Sequence, residues 1–569
     1  MKTSLRVERR LGSVAHNHRP RLMLAAAIGD CVHVAGLHAV IRIAREAGFE
    51  TIMLGPAVAP ERVVDAIREH DPDLVAISYR LSPQAGANVL RHFQRLVQEA
   101  GLSRRRFVFG GTPPVCRIAE RLPLFERAFD GTEGPEAVLA YFRGVPLEER
   151  QVSWPQTLPE RIAFRAPEPI IRHHYGQPSF EETLEGVRLL AESETLDVIS
   201  LGVDQNTQEH FFHPEEADPK QDGAGGVPVR TPEQFRALYE ASRTGNYPLM
   251  RSYAGTRNLI RMAEVLHETI NLAWGAIPLT WYSVLDGRSD RSLRETILEA
   301  QEVMRWHASR GIPVEMNESH HWSLRDAHDT IAVVMAYLAA RNAKAAGVRH
   351  YVAQYMFNTP PETSFAMDLA KMLAKVELIE SLQDETFEVF RETRVGLRSH
   401  PPNLDEAKGH MAASIFLQMA LKPHILHVVA YSEADHAATA PEIIESCRIA
   451  RGVVRDFLGG APDMTADPRV QARKEELLAE AQVLLDAIAS LAPPGVEDPF
   501  TDADTLTRAV TIGLLDTPHF AGNPAPEVRG ELVTQPVDGK IVAVDPDSGR
   551  ILTERERVDR ILQRASARS

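Results

Sequence analysis

The sequence predicts an α/β protein in two successive parts with a small α+β tail. Three observations predict it. Strand and helix patterns alternate five times between residue 21 and about residue 144. The alternation resumes near residue 180, with candidate strands roughly 30–40 residues apart. Beyond residue 460 the pattern becomes helices and one hairpin. At 569 residues the chain is long enough for several domains with separate cores.

Residues 1–20 are basic and irregular and are expected to form a mobile lead-in. In the first part, strands are expected at 21–28, 50–54, 73–78, 106–109 and 127–130, with helices at 37–48, 59–70, 84–101, 113–122 and 134–143. The second helix opens Pro60-Glu-Arg-Val-Val-Asp-Ala-Ile, with apolar residues at helical spacing behind an N-terminal proline. Five βα units imply a parallel sheet with right-handed crossovers and both faces covered, a flavodoxin-like (Rossmann-like) domain over 1–145. Residues 146–179 carry Pro146, Pro155, Pro159, Pro167, Pro169 and Pro178 without a sustained period and read as a stiff linker, with His173-His174 solvated.

In the second part, 180–460, strands are expected at 196–203, 247–253, 276–282, 312–317, 350–357, 387–394 and 425–431, separated by amphipathic stretches. Seven such strands suggest a (β/α)8 TIM-type barrel whose eighth strand is irregular or lies before 196; an open doubly wound sheet is the alternative. The tail, 461–569, holds helices near 468–491 and 504–515 and a hairpin turning at Asp538-Gly539, all expected to pack on the barrel.

Hydrophobic content of 44% and charged content of 25% are those of an ordinary soluble protein. A net charge of −15 argues against nucleic acid, which needs a basic surface. Cys31, Cys116 and Cys447 are too few and too scattered for a disulfide framework or a cysteine zinc site. The start has no apolar core of signal-peptide length and no stretch suits a membrane span, so the expected compartment is the reducing cytoplasm.

Ligands of open α/β sheets bind at the carboxyl ends of strands. The first strand leaves through Gly29-Asp30-Cys31-Val32-His33, and a helix starts just after Gly36, so the His33 imidazole reaches whatever sits above the sheet. Ser78 ends the third strand, with 41 residues between it and Gly36, and Gly110-Gly111-Thr112 ends the fourth. His33-x-x-Gly36 resembles the core of the cobalamin-binding signature Asp-x-His-x-x-Gly, with Asp30 three residues before the His instead of two. Ser78 stands where that family has Ser-x-Leu (Arg80 takes the third position and Leu81 follows), and Gly110-Gly111 stands at its Gly-Gly. The resemblance implies a cobalamin whose lower cobalt ligand, the metal-binding residue, is His33, with Asp30 as the partner orienting that ring. It also places Gly36, Ser78, Gly110, Gly111 and Thr112 around the cofactor, the small residues leaving room for its nucleotide tail. Methyl-carrying corrinoid proteins usually have a four-helix cap ahead of this sheet; none precedes it here, which favours the mutases.

Barrel active sites gather where strands end. Polar residues follow all seven expected strands, including Arg251, Tyr282, Glu315, His320-His321, Gln354, Arg391, Arg394 and Glu433. Pieces of this region are similar to the catalytic subunit of glutamate mutase (methylaspartate mutase), an adenosylcobalamin-dependent carbon-skeleton mutase: Asn246 to Thr256, Trp274-Gly-Ala-Ile-Pro278, and Ala509 to Pro518. That resemblance implies an Arg251 that holds a substrate carboxylate, a task a planar guanidinium suits. The His after the family's Arg is Ser252 here, and its Lys-Thr-Pro-His-Glu run is absent, so the scaffold carries over and glutamate does not. Tyr282, Glu315, His321 and Glu433 are the candidate proton carriers.

The expected activity is a radical 1,2-rearrangement of a small carboxylate by an adenosylcobalamin-dependent isomerase. A corrinoid-dependent methyltransferase is the alternative, ahead of a cobalamin carrier or sensor and of a metal hydrolase using His320, His321, Glu433, Asp435 and His436. Expected partners are the substrate and a second copy of the chain in a dimer, with neither nucleic acid nor a membrane.

Overall fold

The computed structural model describes residues 21–144 and 153–568, so the lead-in expected over 1–20 and residues 145–152 of the expected linker lie outside the described residues. The chain divides into two compact units, Met1–Ser153 and Trp154–Ser569.

In the first unit β1 (Arg21–Ile28), β2 (Phe49–Val58), β3 (Leu74–Tyr79), β4 (Arg106–Gly111) and β5 (Arg127–Phe129) form one sheet in the order β2-β1-β3-β4-β5. Every pairing is parallel. Strand order reverses between β1 and β3, which makes that edge the switch point where such sheets bind ligands. Met23 to Ile28 is fully buried, as a strand covered on both faces must be. Helices Ala35–Glu46, Pro60–His70, Pro83–Glu99, Pro113–Ala119 and Pro135–Arg143 alternate with the strands. β2 runs past the expected 50–54 because a register shift pairs Ala26 with Gly55 and Ile28 with Val58. The extension pins the loop after β1: Gly29 N–H donates to Val58 O (2.8 Å) and Ala57 N–H to Cys31 O (2.9 Å).

In the second unit β6 (Ile170–Tyr175), β7 (Val198–Leu201), β8 (Leu249–Ser252), β9 (Gly275–Ile277), β10 (Val314–Met316), β11 (His350–Phe357), β12 (Glu388–Val395) and β13 (Ile425–His427) make an eight-stranded parallel sheet. Its order, β8-β7-β6-β13-β12-β11-β10-β9, is the cyclic order of a barrel opened between β8 and β9. Across that gap Ala273 N–H still donates to Met250 O (2.9 Å), so the barrel is nearly closed.

The missing eighth strand is β6, which corrects the expected linker. Residues 158–165 form a helix and 170–175 a central strand, and His173 is 1% exposed rather than solvated. The prolines frame these elements instead of preventing them: Pro159 lies in the first turn of its helix, where a missing N–H costs nothing.

Ile170, Val198, Leu249, Trp274, Val352, Phe390 and Ile425 share one apolar cluster near the strand starts, with Leu158 and Ile162 of the preceding helix. This plug closes the floor of the barrel. In the tail, helices Pro468–Ala489, Ala503–Thr511 and Glu554–Arg568 join the largest barrel core. The hairpin of β14 (Thr534–Val537) and β15 (Lys540–Ala543) turns at Asp538 and Gly539, both with positive φ. Among the described residues no helix is long and apolar enough to cross a membrane.

Candidate functional sites: a cleft on the first sheet and a chamber in the barrel

At the carboxyl ends of β1, β3 and β4 lies a cleft of about 290 Å³. His33, Gly36, Ser78, Gly110 and Gly111 line it, with Val40, Ile43, Phe109, Phe129 and Val138 as apolar walls. His33 is exposed on the loop after β1. The Ser78 hydroxyl is buried without a hydrogen-bond partner, which leaves it for a ligand. The two glycines have different tasks. A Cβ on Gly111 would stand 2.7 Å from the Phe109 ring and the Tyr79 carbonyl, so Gly111 is required by packing. A Cβ on Gly110 would meet only Phe129 O at 4.0 Å, so its bare face belongs to the cleft.

Asp30 is exposed, and among the described residues no hydrogen bond joins it to His33. Thr112 sits at the N-cap of the helix after β4, outside the cleft lining. Arg80, Asp130 and Glu133 do line the cleft, which motif matching missed because the signature has Leu where Arg80 stands and does not extend to Asp130 and Glu133. The Thr132 hydroxyl (2.6 Å) and N–H (3.0 Å) donate to Asp130 and hold its carboxyl below the usual range. An unpartnered imidazole, an orphaned hydroxyl and a glycine face around an apolar cleft fit a large planar cofactor with a nucleotide tail.

Above the barrel floor the interior turns polar. Arg172 of β6 donates from Nη1 to Glu392 (2.5 and 2.7 Å) and Glu315 (3.0 Å), and from Nε to the Ser200 hydroxyl (2.9 Å). Glu315 of β10 also accepts from Arg251 Nη2 (3.0 Å), Trp274 Nε1 (2.5 Å) and Gln354 Nε2 (3.0 Å). Burial would raise the Glu315 carboxyl, but Arg172 and Arg251 outweigh it and hold the group below its ordinary range. A carboxylate fixed in this way is an anchor, so the structure does not favour Glu315 as a proton carrier. Arg251 is 0% exposed, and its Nε and Nη1 have no partner.

Nearer the mouth stand His174, Tyr253, Tyr282, Arg394 and His427. His174 stacks on Tyr253 with centroids 5.3 Å apart and lies 4.7 Å from His427. Burial, then Arg172, holds both rings well below the ordinary histidine range and therefore neutral. Tyr282 is half-buried in the loop after β9 with φ of 59°, where Asp286 accepts from its N–H (3.2 Å); burial pushes its hydroxyl up to about 12. His321 stacks on His320 at 4.6 Å, and burial followed by Arg325 lowers it to about 3. Glu433 lies 3.3 Å from His173 Nε2.

The chamber therefore takes in Arg251 and Glu315 from the sequence expectation, with Tyr282 beside them. Sequence reasoning missed Arg172, Glu392, His174 and His427. Their signal was charged or imidazole side chains at alternating positions of short strands, which a buried parallel strand carries only for partners inside the barrel. The hydrolase set is not gathered. Among the described residues the His, Cys and carboxylate groups close enough for a shared ion are His213, Glu215 and Glu216, while His436 pairs with Asp435 (2.7 Å) and Glu442 (2.9 Å).

Residues 21–141 match the B12 binding domain family. The glutamate mutase sigma subunit 1 of Haloarcula marismortui is 29% identical over 133 residues, 22% of this chain and 86% of that protein. A cobalamin-binding protein from Desulfitobacterium hafniense DCB-2 is 22% identical over 22% of this chain and 59% of its own, less than two thirds, with a TM-score of 0.20. The cobalamin-dependent S-adenosylmethionine radical enzyme OxsB is 11% identical over 89% of this chain and 73% of its own, with a TM-score of 0.17. At such TM-scores neither structure bears on the argument. The first unit thus carries a B12-binding domain similar to the glutamate mutase sigma subunit, and the family match stops before the barrel.

Proposed function

We propose that the chain is an adenosylcobalamin-dependent isomerase that rearranges the carbon skeleton of a small carboxylate by radical chemistry. One observation carries this reading: a chain with a B12-binding domain also holds, inside a barrel, a fully buried guanidinium with two unpartnered donors, Nε and Nη1 of Arg251. Buried donors without partners call for an acceptor, and a carboxylate oxygen suits a guanidinium best.

The residues of the cleft suit their parts. His33 would give the nitrogen ligand to cobalt, the Ser78 hydroxyl would bond the nucleotide base, and Gly36 and Gly110 leave space for the tail. When bound, adenosylcobalamin supplies a carbon radical that takes a hydrogen atom from the substrate. Arg251 would hold the carboxylate, and Glu315, itself held by Arg172 and Trp274, keeps that guanidinium in place. A radical hydrogen transfer benefits from surroundings that do not exchange protons. Burial keeps His174, His321 and His427 neutral and Tyr282 protonated. Their titration ranges lie far from pH 7, which supports the radical reading over acid–base chemistry.

The test is tritium exchange between the adenosyl 5′ carbon and a panel of small carboxylic acids and acyl thioesters. Exchange with at least one acid is expected. No exchange with any of them, together with methyl transfer from methylcobalamin, would replace this reading with the methyltransferase.

A further inference from the structure

The hydrogen bonds of the chamber fix the position of one proton. Arg172 Nη2 lies 3.1 Å from His174 Nε2. A guanidinium only donates, so Nε2 accepts and the hydrogen of the neutral ring sits on Nδ1. The Tyr253 hydroxyl, 3.4 Å from the same Nε2, fits that assignment. Nδ1 is buried and has no partner. Strand register places His174, Ser200 and Arg251 in one row across β6, β7 and β8. The middle residue is small, and its hydroxyl is occupied by Arg172 Nε (2.9 Å), while the Tyr253 ring lies against both ends of the row, stacked on the imidazole at 5.3 Å and 5.7 Å from the Arg251 guanidinium. The row thus presents three buried donors without an acceptor: Nε and Nη1 of Arg251 and Nδ1 of His174.

We propose that His174 is a substrate-binding residue whose Nδ1–H donates to an oxygen of the acid that Arg251 holds, Arg172 setting the tautomer. The inference rests on the reading of the barrel as a chamber for a small carboxylate. It adds a specificity: three unpartnered donors in one row favour a carboxylate over the matching carboxamide, whose NH2 would face them. With its proton fixed, His174 acts as a constant donor and not as an acid.

Two measurements on the full chain test this. The first needs no ligand: ¹⁵N-histidine labelling, assigned with His174→Gln, should show His174 protonated on Nδ1 alone across pH 6 to 8. Protonation on Nε2, or titration within that range, would overturn the proposal. The second is calorimetric binding of acetate, propionate, lactate and succinate, each beside its carboxamide. His174→Asn leaves an amide donor near the Nδ1 position, whereas His174→Gln keeps only a partner for Arg172. Any acid that binds should bind at least about tenfold more weakly to His174→Gln and nearly normally to His174→Asn, its carboxamide failing on the parent protein. Undiminished binding in His174→Gln, with loss in Arg251→Lys, would overturn the His174 role and leave the proposed function standing. Failure of every acid to bind the parent protein would overturn both.

Discussion

The cleft on the first sheet and the chamber in the barrel solve opposite problems. The cleft is an open, mostly apolar groove whose named contacts are an exposed imidazole, one orphaned hydroxyl and a glycine face. The chamber has ionised groups at its centre, two of its arginines and two of its glutamates each no more than 1% exposed, below a half-buried mouth. A large cofactor brings its own apolar surface and its own reactivity, so the protein needs only shape and a few ends to hold. A small anion brings little surface, so affinity must come from charge placed in a low-dielectric interior, which is costly unless every member is paired. Damage should therefore be severe and local in the barrel and mild in the cleft.

The largest expected effect is in the barrel. Glu392→Leu removes the carboxylate that takes two hydrogen bonds from Arg172 and leaves a buried guanidinium short of charge. Breaking such a pair costs on the order of 3–5 kcal/mol. The tryptophans (Trp154, Trp274, Trp281, Trp306 and Trp322) all lie in the second unit, so tryptophan fluorescence during urea unfolding reads that unit alone. Its midpoint should fall steeply while cobalamin binding survives. Equal loss of both would mean that the units do not fold independently.

Acid should act in the same direction. Burial lowers His307 and His321 to about 3 and His400 to about 4, and takes His174, His320, His328 and His427 well below their ordinary value. These rings bind protons in the unfolded chain from about pH 6.5 downward but stay neutral when folded, so unfolding takes up protons. Their contribution is complete above about pH 6.5 and is lost as pH falls toward 3–4. Glu318, Asp368, Glu392, Glu480 and Asp516, raised by burial, oppose this with the reverse sign. With seven rings against five carboxyls, the tryptophan-detected midpoint should drop between pH 7.5 and 5.5. A flat profile would mean that the rings are charged or solvated in the folded protein.

Arg251→Lys comes next. Lysine keeps the charge but loses the planar fork, so the field survives while a paired contact is broken. The expected loss is about 2 kcal/mol, roughly thirtyfold in the specificity constant, since charge-assisted bonds contribute about 1.5–3 kcal/mol each. Cobalamin affinity should not change. If it does, the assignment of separate tasks to cleft and chamber is wrong.

The same contrast explains what the sequence made legible. The cleft could be read because its residues mark the carboxyl ends of apolar strands: His33 stands on the loop after β1, and Ser78 and Gly110 interrupt the apolar runs at the ends of β3 and β4. The seven expected barrel strands were legible from their apolar outer faces. β6 was not, because its inward residues are Ile170, Arg172 and His174, and the run Arg172-His173-His174 erases the apolar pattern of a buried parallel strand. Glu392 was hidden likewise within Glu388–Val395, a strand that reads as charged until the barrel closes and brings Arg172 from a position 220 residues earlier. Contacts of that separation have no local signature. Thr112 shows the reverse error, a residue beside a motif given the motif's role although it sits at a helix N-cap outside the cleft lining.

The smallest effect tests the cleft most directly. The buried Ser78 Oγ lacks a partner in the protein, which is a standing cost if nothing ever binds it. Ser78→Ala should then leave the first unit equally stable or slightly more so without cofactor, since the replacement removes a desolvated hydroxyl and fills almost the same volume. With cobalamin the sign reverses: one neutral hydrogen bond is lost, about 1 kcal/mol, or roughly a fivefold rise in dissociation constant. The two signs separate a ligand-binding hydroxyl from a structural one, because a structural serine would lose stability without cofactor and leave affinity alone. Cobalinamide, which lacks the nucleotide base, sharpens the test. If Ser78 bonds that base, parent and variant should bind cobalinamide equally, and a fivefold difference persisting with cobalinamide would move the Ser78 contact from the base to the corrin ring.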